Sequence, residues 1–182
     1  MRGWARDDGL FEVEGRVTDR KPHDFTSPKG TKIVPANLPI HDMGVRLVFD
    51  EDMVVRAVTT FTDASPYADC PDGGAALQAL VGLRIGGGWS GEVRKRLGGA
   101  SSCTHLRELL IPLATAAYQS MTMKRMDLPD QLDASGKPVK VDSCYAYASN
   151  RGVVLHRWPD FYTGPERPPR QPAGAGDVDS NA

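Results

Sequence analysis

An alternating run joined by three acids to a β-rich one constrains this chain more than anything else in it. Over residues 41–49, His41, Met43, Val45, Leu47 and Phe49 share one face and Asp42, Gly44 and Arg46 the other, because successive side chains of a strand point to opposite sides. The acidic turn Asp50-Glu51-Asp52 leads into a second β-rich run, 53–62, and the pair predicts an antiparallel hairpin. Residues 11–17 alternate in the same way and predict a further half-buried strand. Between these runs, residues 20–40 hold Pro22, Pro28, Gly30, Pro35 and Pro39. So many breakers exclude a helix or a central strand and predict a long loop.

Helical spacing takes over after an irregular stretch at 63–74. Apolar positions 76, 77, 80 and 83 predict a short helix over 75–83, stopped by Gly86-Gly87-Gly88. Ser90 is placed to cap a second helix over 91–97, with Gly98-Gly99 behind it. The third and longest starts at Ser101, Ser102 or Thr104. It buries Leu106, Leu109, Leu110, Leu113, Ala117 and Met121, and Pro112 should kink it. Residues 124–139 read as loop, and 141–148 with 153–158 as a last hairpin around Ser149-Asn150-Arg151-Gly152. Strands first, helices in the middle and a strand pair last give an α+β order. The expectation is an antiparallel sheet of hairpins packed against about three helices, in one domain over 1–164. Pro165, Pro168, Pro169 and Pro172, with scarcely any large apolar residue among them, predict a disordered tail over 165–182.

Charge and hydropathy narrow the partners. The 22 Lys and Arg residues balance 23 Asp and Glu, for a net charge of −1, so no long-range field draws in phosphate backbones or anionic lipid. Nucleic acid is not an expected partner. The longest mostly apolar run, 109–117, is about half of what a membrane span needs and contains Pro112. The first nine residues are polar, with no apolar run behind them, so the expected location is the cytoplasm. There the three cysteines stay reduced, as thiols or metal ligands. Nothing in the sequence speaks to oligomeric state.

Chemistry concentrates in Ser101-Ser102-Cys103-Thr104-His105-Leu106-Arg107-Glu108. A helix N-terminus stabilises a thiolate, which makes Cys103 a candidate ligand or nucleophile. Cys-x-His offers two ligand types with a workable bite just before a helix and a poor one inside it, so the helix start decides. Glu108, one turn after His105, is placed to orient the imidazole, bind metal or act as acid or base; an exposed ion pair with Arg107 or Lys95 is the plainer alternative. Cys70 and Cys144 lie in polar stretches. With Cys103 and His105 they make a Cys₃His set suited to a divalent metal, zinc ahead of iron; the alternative for each thiol taken alone is a small buried hydrophobe. His41, with Asp42 beside it, is either a satisfied core histidine or a general base or ligand at the mouth of the sheet.

Several stretches together resemble a bacterial domain-of-unknown-function family: Ile40-His41-Asp42-Met43, Asp63-Ala64-Ser65-Pro66-Tyr67 with Cys70, and Cys103-Thr104-His105-Leu106 with Glu108-Leu109. The resemblance covers about residues 6–164 and implies a shared polar site of His41, Asp42, Cys70, Cys103, His105, Glu108 and Cys144, without an activity. Where the family pattern has a His after the last cysteine, this chain has Tyr145. Two readings follow. One is a metal-dependent lyase or hydrolase acting on a small organic substrate, with His41, Asp42 and Glu108 transferring protons and Cys70, Cys103, His105 and Cys144 holding the metal. The other is a non-catalytic interaction module stabilised by zinc or by cysteine packing.

Overall fold

Strand pairing organises the first part of the chain in the computed structural model, which describes residues 1–27, 32–126 and 128–165. The strands are β1 (Arg2–Ala5), β2 (Phe11–Arg20), β3 (Phe25–Thr26), β4 (Ile33–Val34), β5 (Pro39–Phe49) and β6 (Val55–Ala64). One antiparallel sheet runs β1-β2-β5-β6, and β3 and β4 form a two-stranded ribbon. The hairpin of β5 and β6 is as its alternation requires. Met43, Val45, Leu47 and Phe49 are fully buried on the core face, and Phe11 stacks on Phe49 with ring centroids 5.7 Å apart.

That core face is covered by a 3-10 run at Cys70–Leu80, by α1 (Trp89–Leu97) and by α2 (Thr104–Ser120), which α3 (Thr122–Arg125) follows. Leu106, Leu110, Leu113 and Ala117 of α2 are fully buried at helical spacing. Pro112 lies inside α2, which continues through it. Trp89 ties α1 to α2 by donating its indole N–H to the Leu110 carbonyl at 2.9 Å.

Local details depart from the sequence expectation for identifiable reasons. The polar first residues form β1, held in register by the edge of β2 and by Arg6, which pairs with Glu12 at 2.8 Å; a partner's edge, not its own alternation, makes it a strand. The expected loop over 20–40 contains β3 and β4. The helix expected at 75–83 is a 3-10 run that starts at Cys70, with Pro71 fixing φ in its first turn. Ser90 does not cap α1, which begins at Trp89 behind Gly88 at φ 86°. Neither Ser101 nor Ser102 caps α2: their hydroxyls bond back to the carbonyls of Gly98 and Leu97 at 2.6 and 2.7 Å, and the cap position falls to Cys103.

The chain divides into two compact units, Met1–Asp127 and Leu128–Ala182. The hairpin expected at 140–158 does not form, and the described residues of the second unit contain no strand. The Asp142 carboxylate accepts the Ser149 amide at 2.8 Å and the Asp142 amide donates to the Tyr147 carbonyl at 2.8 Å, which closes the segment into turns. Residues Gly152–Arg157 then form a helix, α4. Val154 and Trp158, four residues apart, bury one side of it with Val141. Trp158 donates its indole N–H to Asp130 at 2.7 Å. The tail expected at 165–182 lies, apart from Pro165, outside the described residues.

This packing predicts that Leu113→Ala lowers stability by about 2–5 kcal/mol through loss of contacts and a residual cavity. Thr115→Ala, on the exposed side of α2, should change it by less than about 0.5 kcal/mol. Equilibrium urea unfolding of the two variants checks both.

Candidate functional site

The alternation that buries Val13 and Val17 against the helices places Asp19 on the same face at the end of β2. There it stands directly across from His41 of β5, where the register shifts by a bulge between Asp19 and Arg20. One Asp19 oxygen accepts two hydrogen bonds from His41, from ring Nδ1 at 2.9 Å and from the backbone amide at 2.7 Å. A carboxylate acceptor requires the proton on Nδ1, so the ring is held in one tautomer with Nε2 left for other work. Burial pushes the Asp19 carboxyl up, but the two bonds from His41 outweigh it and hold the group below the usual carboxylate value.

His105, in the first turn of α2, lays its ring against that of His41 with centroids 4.2 Å apart and planes at 39°. Desolvation in this contact, and then the neighbouring His41, hold its pKa below the ordinary 6.5, against an opposing pull from Asp19. It is therefore a neutral imidazole at pH 7. Its Nδ1 lies 4.0 Å from Cys103 Sγ. Cys103 has extended backbone, φ −65° and ψ 125°, as the residue that caps α2. The Cys-x-His pair thus straddles the helix start, which lets the two side chains meet. The Cys103 amide donates to the Gly73 carbonyl at 3.2 Å. A Cβ on Gly73 would stand 2.8 Å from the Cys103 nitrogen, so only glycine permits this approach. On the core side, Met43 Sδ lies 3.9 Å from Cys103 Sγ.

Cys103 also lines an open cleft of about 530 Å³, together with Tyr67, Asp69, Cys70, Asp72, Gly73 and residues 100–102. Its size suits a small organic molecule. The chain thus carries a linear array, Asp19, His41, His105 and Cys103, drawn from β2, β5 and α2 and ending at a cleft.

The remaining sequence candidates fall elsewhere. Asp42 is buried on the other face of the sheet, where Arg16 grips it through Nε at 2.5 Å and Nη2 at 2.6 Å and Thr18 donates at 3.0 Å. Those Arg16 bonds, against the effect of burial, hold its carboxyl below the usual range. Glu108 is exposed and pairs with Arg107 at 3.2 Å. Cys70 shares the cleft with Cys103. Cys144 is exposed within the second unit. Among the described residues, no three His, Cys, Asp or Glu side chains converge as a metal centre, and no helix is long and apolar enough to cross a membrane.

A family model described as a protein of unknown function, DUF2889, matches residues 1–119. The chain belongs to the DUF2889 family. The matched span holds every member of the array and the cleft, and ends before Cys144. No curated protein and no solved structure matches the chain.

Sequence reasoning missed Asp19 and Met43. The parity of Phe11, Val13 and Val17 extends to Asp19, so its face was readable; its position opposite His41 depends on register. Met43 stands on the same face of β5 as Val45, Leu47 and Phe49 and is fully buried.

His105 makes stability depend on pH. Its folded pKa lies below 6.5, so the unfolded chain binds the extra proton first. Stability should fall as pH drops below 6.5 and be complete above it. Asp19, also lowered, adds a loss in the same direction at more acid pH. Urea midpoints measured at pH 5.5 and 7.5 should differ for the native sequence and converge for His105→Gln.

Proposed function

We propose that this chain is an enzyme, a lyase or hydrolase, that acts on a small organic molecule in the cleft beside Cys103. The observation that supports this reading best is the Asp19–His41–His105–Cys103 array. A carboxylate orients one imidazole, that imidazole packs on a second one kept neutral, and the second reaches a thiol at the mouth of a cleft. Purely structural packing does not call for such a succession of acid, bases and nucleophile.

The roles follow from position. Cys103 faces the cleft and is the group that meets the substrate. His105, neutral at pH 7, accepts the thiol proton and returns it to a leaving group. Asp19 balances the positive charge that develops on His105 and fixes the His41 ring that packs against it. Asp42 and Glu108, first considered for proton transfer, have other partners and take no part in this scheme.

The metal-dependent reading remains a proposal on the same residues. It draws support from the approach of Cys103 Sγ and His105 Nδ1 to 4.0 Å at the start of α2. Cys103 and His105 would hold a divalent ion, zinc ahead of iron, with Cys70 lining the same cleft. Such an ion supplies Lewis-acid polarisation of a carbonyl or an activated water.

Iodoacetamide alkylation, followed by peptide mass spectrometry, separates these readings from inert packing. Cys103 should react faster than Cys144 at pH 7. His105→Ala should slow it about tenfold or more. Elemental analysis of protein purified without chelator then decides on metal: less than about 0.2 equivalents in folded protein removes the metal reading, and a Cys103 no faster than a free cysteine removes the nucleophile.

A further inference from the structure

We propose that Cys103, Met43 and His105 form a binding site for a soft monovalent cation, Cu(I). The inference shares Cys103 and His105 with the reading above but stands on a different atom, the thioether sulfur of Met43. That side chain is fully buried on the core face of β5, and its Sδ lies 3.9 Å from Cys103 Sγ. One ion bound at about 2.3 Å from each of two sulfurs holds them about 3.8 Å apart at the tetrahedral angle and about 4.0 Å apart in a trigonal plane. The sulfur pair already has this span. A sulfur and an imidazole nitrogen on the same ion stand about 3.6–3.8 Å apart, so the 4.0 Å from Cys103 Sγ to His105 Nδ1 closes with a small turn of the ring.

The donor set selects the ion. Thiolate and thioether sulfurs are soft, and together they favour Cu(I) over zinc or iron, which take imidazole, thiolate or carboxylate but not thioether by preference. Charge points the same way. One thiolate with a neutral thioether and a neutral imidazole makes a neutral complex with Cu(I), whereas a divalent ion leaves a net positive charge beside the core, where an unbalanced charge is costly. Binding exchanges the thiol proton for the ion. The S–H bond breaks, a sulfur–copper bond forms, the proton leaves to solvent and no electron moves. A Cu(I) ion on Cys103 would also occupy the sulfur on which the proposed enzyme depends, so copper would silence it.

The test uses the full chain with Cys70→Ser and Cys144→Ser, so that Cys103 is the one thiol, and competes it for Cu(I) against a colorimetric chelator under anaerobic conditions. One Cu(I) should bind per chain. Met43→Leu, which conserves core volume, should weaken Cu(I) binding about tenfold or more while changing Zn(II) binding less than about twofold. Cys103→Ser should bind no Cu(I). Equal Cu(I) affinity with and without the Met43 thioether, or Cu(I) binding that survives Cys103→Ser, overturns the proposal. Should Met43→Leu not fold, X-ray absorption of the copper-loaded parent must count two sulfurs and one nitrogen; a single sulfur overturns it equally. A chain that takes no Cu(I) but keeps a fast, His105-dependent Cys103 loses this inference and retains the proposed function.

Discussion

The register of β2 against β5 is the constraint on which the remaining structure depends, because both faces of the sheet are set by it. Residues Phe11 to Asp19 pair in order with Phe49 to His41, and a slip of one residue would move every side chain of one strand to the wrong face. On the core side the register brings Val13 opposite Leu47 and Val17 opposite Met43, which gives the helices an unbroken apolar surface. At its far end the same register brings Asp19 opposite His41 and then shifts by a bulge, so the polar pair sits where the apolar surface stops.

The other face shows the same economy in different chemistry. Arg16 grips Asp42 and reaches Asp63 at 2.9 Å, while Arg46 meets Glu14 at 2.6 Å. These cross-strand pairs align with the pairing of β2, β5 and β6 and stabilise it modestly, since most of their partners stay in contact with water. Gly44 has a steric role here: a Cβ at this position would collide with the Phe61 ring and the Gly15 carbonyl. Asp42 is a structural anion for Arg16, and its position next to His41 in sequence is what sends the two side chains to opposite sides.

The start of α2 is the second place where fold and chemistry meet. The hydroxyls of Ser101 and Ser102 close the end of α1 rather than the start of α2, which leaves Cys103 at the cap without a side-chain bond to the helix amides. A thiol in that position keeps its sulfur available to Met43, His105 and the cleft. Gly73 completes the arrangement by letting the 3-10 run approach the Cys103 backbone.

Periodicity and residue chemistry in the sequence determined the hairpin of β5 and β6, the strand β2, the buried stripe of α2, the α+β class and the candidacy of Cys103, His105 and His41. These are local properties, carried by spacings of two and of three to four residues. The tertiary structure decided the rest. The partner of His41 is Asp19 rather than Asp42 because strand pairing, not sequence adjacency, places groups on one face. Glu108 lies one turn after His105 along α2, and the structure pairs it with Arg107, the plainer of its two sequence readings. The second unit follows turns instead of a hairpin: the Asp142 carboxylate accepts the Ser149 amide and the Asp142 amide donates to the Tyr147 carbonyl. A sequence states which face each side chain occupies; only the fold states which side chain stands across from it, because that depends on register and packing between segments far apart in the chain.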